Sequence, residues 1–288
     1  MCQSAAAPGR PALADVFHAV ADRLDGLSAK QRQVVAAIQR CRTAALGGHV
    51  WTCDQCGHRR PVYHSCRDRH CPKCQGLDEA RWAEARRADL LPVPYFHVVF
   101  TVPAQLHGLF RANPHRAYGL LLTAAAETLQ EVAADPRRLG ARIGLTAVLH
   151  TWTQRLAFHP HVHCLVPGGG LSPDGTRWIR ARPKYFLPVR VLSVVFRATL
   201  LAAFERGLAR GELRRPDGTP ADVLRQAARP NWVVYCKPPF AGADDVVAYL
   251  ARYAHRIAIR NERLVALEDG QVTFRWRDRA HGSAAKLC

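Results

Sequence analysis

The chain has 288 residues, 48% of them hydrophobic, enough for one large core or two smaller ones. Lysine and arginine number 41 against 23 acidic residues, a formal charge of +18 that is far more than solubility requires and points to a polyanionic partner, with a solvated basic surface as the alternative. No stretch approaches the roughly 20 apolar residues of a membrane helix, and Met1 to Gly26 lacks the basic start and unbroken apolar run of a signal peptide. The expectation is a soluble, cytoplasmic protein without membrane contact, its ten cysteines serving as thiols or metal ligands.

Residues 13 to 40 place Leu13, Val16, Phe17, Val20, Leu24, Val34, Val35 and Ile38 at three- and four-residue spacing and predict helix. Between Cys41 and Gln75 the periodicity lapses and His, Arg and Gly dominate, so this stretch cannot bury enough to fold unaided. Gly76 to Leu91 predicts a connecting helix stopped by Pro92 and Pro94. From Tyr95 the pattern changes: strands are expected at Tyr95 to Val102, Ile143 to Trp152, His161 to Val166, Arg177 to Arg180 and Trp232 to Cys236. Helices are expected from about His115 to Ala133 and Val189 to Ala209, and a terminal hairpin pairs Arg263 to Leu267 with Val272 to Trp276 around Glu268-Asp269-Gly270. Gly168-Gly169-Gly170 is expected to end the histidine strand. This order predicts an α+β fold with a largely antiparallel sheet flanked by helices, divided into a helical, cysteine-rich domain at 1–91 and a second domain at 92–288.

Cys53-x2-Cys56, fourteen residues, then Cys71-x2-Cys74 is close to the two-knuckle spacing that folds four sulfurs around a tetrahedral, structural Zn²⁺. Cys66-x3-His70 offers a pair that replaces one knuckle, or that joins Cys41 and His49 in a second site. Arg59, Arg60, Arg67, Arg69 and Lys73 give the module a basic face suited to phosphates.

On a strand, His161 and His163 share a face and can hold one divalent metal. A third ligand is expected, with Gln154 the first candidate and His159, bent away by Pro160, the competitor. Asp244 reads as the N-cap of a helix carrying Tyr249 and Tyr253, four apart, so both phenols reach one small volume. Arg252, His255 and Arg256 on the same turns lower a phenol's pKa and bind flanking phosphates. Taken singly, the histidine pair also fits a hydrogen-bonded structural role and the tyrosines a core-rim packing role.

Together, the Ser65-to-Gln75 knuckle, the segment His150-Thr151-Trp152-Thr153-Gln154 through His159-Pro160-His161-Val162-His163 to Gly170, and Tyr249-Leu250-Ala251-Arg252-Tyr253 with His255-Arg256 resemble the rolling-circle, two-tyrosine HUH transposases of bacterial insertion sequences. The resemblance implies an N-terminal zinc-binding domain and a nuclease domain whose central antiparallel sheet carries the histidines. It implies that His161 and His163 hold a catalytic Mg²⁺ or Mn²⁺, and that Tyr249 and Tyr253 divide two cleavages, each leaving a 5′-phosphotyrosine and a free 3′-hydroxyl. The expected partner is single-stranded DNA of element ends and target, in a nucleoid-associated bacterial protein. Trp152, Trp232, Tyr235 and Lys237 are candidates to stack bases or grip backbone, beside Arg252 and Arg256. Family members continue beyond the segment matching Thr273 to Asp278, whereas this sequence stops at Cys288, which reads as a C-terminal truncation. The competing readings are an HUH replication initiator using the same chemistry at an origin, and a catalytically inert zinc-dependent DNA-binding remnant.

Overall fold

The computed structural model describes residues 10–237, 245–247, 257–278 and 284–288. The described residues fall into two compact units, one within Met1–Arg81, Gln154–Leu156 and His255–Cys288, the other within Trp82–Thr153 and Ala157–Ala254. The division lies at 81/82 rather than 91/92, and the C-terminal strands belong with the first unit. Two contacts show why: the Leu13 amide donates to Asn261 Oδ1 at 3.0 Å, and Arg260 pairs with Glu79 at 2.5 Å.

In the first unit the long helix predicted over 13 to 40 is two helices, α1 (Leu13–Ala19) and α2 (Ala29–Arg40). Gly26, at φ +82°, breaks the run, and Ser28 restarts it with a reciprocal cap: its hydroxyl accepts from the Gln31 amide while Gln31 Oε1 accepts from the Ser28 amide. Beyond α2 stands an antiparallel hairpin, β1 (Gly48–Thr52) and β2 (Arg59–Tyr63), exposed along its whole length. Helix α3 (Gln75–Ala88) leads toward the second unit.

The second unit is built on a four-stranded antiparallel sheet in the order β4-β5-β3-β8, from β3 (Tyr95–Thr101), β4 (Thr146–Trp152), β5 (Phe158–Pro167) and β8 (Val234–Lys237). Directly opposed residues share a face, so Phe96, Val98 and Phe100 of β3 join Val166, Cys164 and Val162 of β5 on one side. That side is covered by α4 (His107–Ala112), α5 (Pro114–Ala134), α6 (Val189–Ala209) and α7 (Val223–Ala228), which together bury one continuous core. Leu192, Phe196, Leu200 and Phe204 repeat every fourth residue along α6, which makes its inward stripe. Phe196 is fully buried, packed on Phe100 and, edge to face, on Trp232.

The triple glycine does more than end a strand. Strand β5 stops at Pro167, but the chain re-enters pairing at once as β6 (Gly169–Leu171) against β7 (Trp178–Arg180). A Cβ on Gly168 would lie 2.8 Å from the Pro94 oxygen, on Gly169 2.4 Å from that of Ile179, and on Gly170 2.4 Å from that of Arg142. Only glycine admits three backbones so near.

Back in the first unit, β9 (Leu264–Glu268) and β10 (Gln271–Asp278) form the predicted hairpin, its two-residue turn using positive φ at both Asp269 and Gly270. Strand β11 (Ala284–Leu287) adds to the outer edge of β10. Among the described residues no helix is long and apolar enough to cross a membrane. Because Phe196 joins the sheet to α6 and Trp232, Phe196→Ala should destabilise the second unit by about 3–5 kcal/mol, measurable in urea denaturation.

Candidate metal centres

Four cysteines of the first unit converge, but they are not the four of the two C-x2-C pairs. Cys41, Cys66, Cys71 and Cys74 bring their sulfurs within 4.8 Å of one another, with Cys41 and Cys74 3.4 Å apart and Cys66 and Cys74 3.6 Å apart. Tetrahedral zinc with bonds of about 2.3 Å places its sulfurs about 3.8 Å apart, so the set fits Zn²⁺. Local chemistry assembles it. Cys41 follows the last turn of α2, Cys71 opens the turn into α3, and Asp68 Oδ1 accepts from the His70 amide to fold the loop between Cys66 and Cys71. Burial pushes the Cys66 thiol up to about 12 and raises Cys71 too, while at Cys74 burial is outweighed by hydrogen bonds from Cys41 and Cys66, which hold it below the usual thiol range. Four close thiols share protons in this way until a cation displaces them.

Cys53 and Cys56, expected to complete that zinc site, lie instead at the exposed tip of the β1–β2 hairpin. The hairpin closes on itself, the Cys53 amide donating to the His58 oxygen and the Gly57 amide to the Cys53 oxygen. Its strands carry the pair away from the cluster, and Cys41 and Cys66 take their places. The amides of Cys56 and Gln55 donate toward the Cys53 sulfur and lower its pKa. His49, offered for a second site, stands near His64 with ring centroids 6.0 Å apart, and Arg69 Nε approaches His70 Nε2 at 3.4 Å; neither histidine belongs to the four-sulfur cluster.

The second cluster lies on the sheet face opposite the apolar core. His161 and His163 alternate with Val162 and Cys164 on β5, as the sequence predicts, and β4 sets His150 directly opposite His161. One nitrogen from each of the three rings falls within 4.8 Å of the others. His150 thus supplies the third imidazole, four residues before the Gln154 expected in that place. Gln154 lies in the β4–β5 turn, where its backbone oxygen accepts from Arg263. The His161 Nδ1–H donates to the His159 oxygen at 2.6 Å, which leaves the Nε2 lone pair as the ligand atom. His150 Nδ1 lies 3.2 Å from that Nε2. The competitor His159 contributes this carbonyl acceptor, while its ring is not one of the three that converge; burial lowers the pKa of that ring. Three neutral imidazoles fit a transition-metal dication, with coordination positions to spare.

Residues predicted to meet DNA fare differently. Trp232 is a core residue, 4% exposed, its Nε1 donating to the Ala227 oxygen at 2.8 Å; the polar Arg229-Pro230-Asn231 before it disguised a buried position. Tyr235, 51% exposed, projects from the histidine face on β8, in one row with Val99 and His163, and the half-buried Lys237 shares its face. Tyr249, Arg252, Tyr253, His255 and Arg256 lie outside the described residues, as does Asp244. The helical residues Asp245–Val247 precede them, and Val246 packs with Tyr95 and Leu165 and against Val148, all on the histidine face.

Two measurements separate these ligand sets. Cys41→Ser or Cys66→Ser should abolish zinc in the purified chain by elemental analysis, whereas the Cys53→Ser, Cys56→Ser double variant retains it. His150→Ala should weaken Mn²⁺ binding by about tenfold or more, while Gln154→Ala leaves calorimetric affinity nearly unchanged.

Comparison with known proteins identifies the family. A family described as "Putative transposase" matches residues 144–287, and one described as "Transposase zinc-binding domain" matches residues 12–102. The chain is 53% identical over 289 residues to "Putative transposase y4qJ" of Sinorhizobium fredii (strain NBRC 101917 / NGR234), covering 96% of this chain and 73% of that one. It is 27% identical over 260 residues to the "Transposase for insertion sequence element IS801" of Pseudomonas savastanoi pv. phaseolicola, covering 85% of this chain and 60% of that one. Among solved structures, a metal-bound conjugative relaxase TrwC in complex with oriT DNA aligns over 55% of this chain and 70% of that chain at 14% identity, with a TM-score of 0.31. By both family matches and the 53% identity, the chain belongs to the insertion-sequence transposases that carry an N-terminal transposase zinc-binding domain.

Proposed function

We propose that this transposase cleaves and rejoins single-stranded DNA in rolling-circle transposition, with Tyr249 and Tyr253 as nucleophiles and the His150, His161 and His163 cluster as the seat of a catalytic Mn²⁺ or Mg²⁺. The observation that carries the reading is the meeting of two elements on one sheet face: the three imidazoles, and the helical segment at Val246 seated on the same side. From Val246, Tyr249 is three residues on and Tyr253 seven, the spacing that keeps side chains of a continuing helix on one face. When bound, the cation would polarise the scissile phosphate and offset the charge that builds on its oxygens. The donor set favours Mn²⁺ over Mg²⁺, because Mg²⁺ prefers carboxylate and water oxygens and gives up water reluctantly.

Each step is a balanced substitution at phosphorus. The phenol oxygen of one tyrosine, its proton released, forms a bond to the phosphorus; the bond to the 3′ oxygen breaks, and that oxygen leaves as a hydroxyl after taking a proton. The 5′-phosphotyrosine keeps the phosphodiester energy, so a 3′-hydroxyl from another strand can reverse the step and join new ends. A second tyrosine lets donor and target strands be held in turn. Arg252 and Arg256, each three residues after one of the two tyrosines in sequence, would supply charge to the phenols, and Tyr235 with Lys237 lines the open edge of the histidine face. The hairpin β1–β2 adds Arg59, Arg60 and Trp51, the last 65% exposed, as a second grip on the strand.

The test is covalent capture. Single-stranded oligonucleotides bearing candidate element ends, labelled 3′ of the cut, should give an adduct that survives denaturation in Mn²⁺; duplex DNA of the same sequence should not. The Tyr249→Phe, Tyr253→Phe double variant and His161→Ala should both lose it. An adduct retained by the double variant would remove these tyrosines from the chemistry.

A further inference from the structure

A fourth histidine stands behind the cluster. His97 lies on β3, 1% exposed, on the same sheet face, with its Nε2 2.9 Å from Nδ1 of His163. The two ring planes are 5° apart and their centroids 5.1 Å apart. The nitrogen–nitrogen distance plus the two ring radii accounts for that separation, so the rings lie end to end in nearly one plane, the alignment of a true N–H···N bond rather than of stacking.

We infer that His97 is a positioning residue for the metal centre, holding His163 in the tautomer and orientation that present Nε2 to the cation. This rests on the reading that the histidine cluster binds a metal. With both rings neutral, one proton lies between the two nitrogens. For His163 to offer the Nε2 lone pair, that proton belongs to His163 Nδ1, which donates to His97 Nε2; His97 then carries its own proton on Nδ1. His161 solves the same problem with a backbone oxygen, that of His159. Metal-bound histidines commonly donate to a carboxylate or carbonyl, and His97 does this work with a neutral acceptor. The choice has an electrostatic result: an imidazole acceptor brings no negative charge to His163, as a carboxylate would, and so does not offset the cation's pull on a phosphate. Packing alone would be met by an aliphatic side chain such as Val99 on the same strand, without burying a second imidazole.

The experiment titrates the full chain with Mn²⁺, reading free ion by electron paramagnetic resonance, for the wild type and for His97→Leu, His97→Asn and His97→Gln. Glutamine carries its amide to about where Nε2 sits, whereas asparagine falls one methylene short and leucine has no acceptor. Leu and Asn should bind Mn²⁺ about 10–100-fold more weakly, with Gln within about threefold of wild type. Unchanged affinity in a folded His97→Leu chain, or equal losses in Gln and Asn, overturns the inference. Where the Leu variant fails to fold, the Gln and Asn pair decides, being alike in polarity and differing in reach. A wild-type chain that takes no Mn²⁺ overturns the underlying metal reading instead, and this inference with it.

Discussion

The pairing register of β5 is the constraint on which the second unit depends. His161 opposite His150, and Cys164 opposite Val98, divide the strand between two faces, one polar and convergent, the other apolar and covered by α5 and α6. A slip of one residue would drive both histidines into the core and turn Val162 and Cys164 toward the site. Both ends of the strand are pinned. At its start Thr153 and Ala157 close the β4–β5 turn, the Thr153 amide donating to the Ala157 oxygen and the Ala157 amide to the Thr153 hydroxyl. At its end the Gly168 amide donates to the Pro94 oxygen at 2.6 Å, a contact no larger residue permits.

The two metal centres follow opposite designs. The sulfur set is closed, with four protein ligands and no place for a substrate, and its thiolates outweigh the charge of the ion they enclose. The imidazole set is neutral and incomplete, so a bound cation keeps both its charge and open positions. The first suits an ion that holds chain together, the second an ion that meets an anion. Each occupies its own unit.

Much of this was legible in the sequence because it is local. Helix α6 spans the residues that its apolar repeat marks, and the Asp269-Gly270 turn forms where its chemistry demands. The zinc ligands were misassigned because spacing is one-dimensional: both C-x2-C motifs look alike, and nothing local says that one sits at the tip of a hairpin that leads it away. His150 was readable in principle. Once the β4–β5 turn is centred between Thr153 and Ala157, antiparallel register brings it to within one residue of His161, and the β-bulge between His150 and Trp152 makes up the difference. Trp232 was not, because Phe196, which buries it, is 36 residues away and on another element.

The sulfur cluster also sits inside the small apolar core of its unit. Ala14 and Ile38 are buried with Cys41 and Cys71, and Leu13, Phe17 and Val34 pack around them. So little oil cannot hold the segment by itself. The folding equilibrium of this unit therefore becomes a function of zinc activity, each tenfold fall in free ion withdrawing about 1.4 kcal/mol of stability once the site dominates. A chain made in a zinc-starved cell would keep its histidine-bearing sheet, which buries its own core, and lose the module that carries the hairpin. Metal supply would thus set how many molecules have this unit folded.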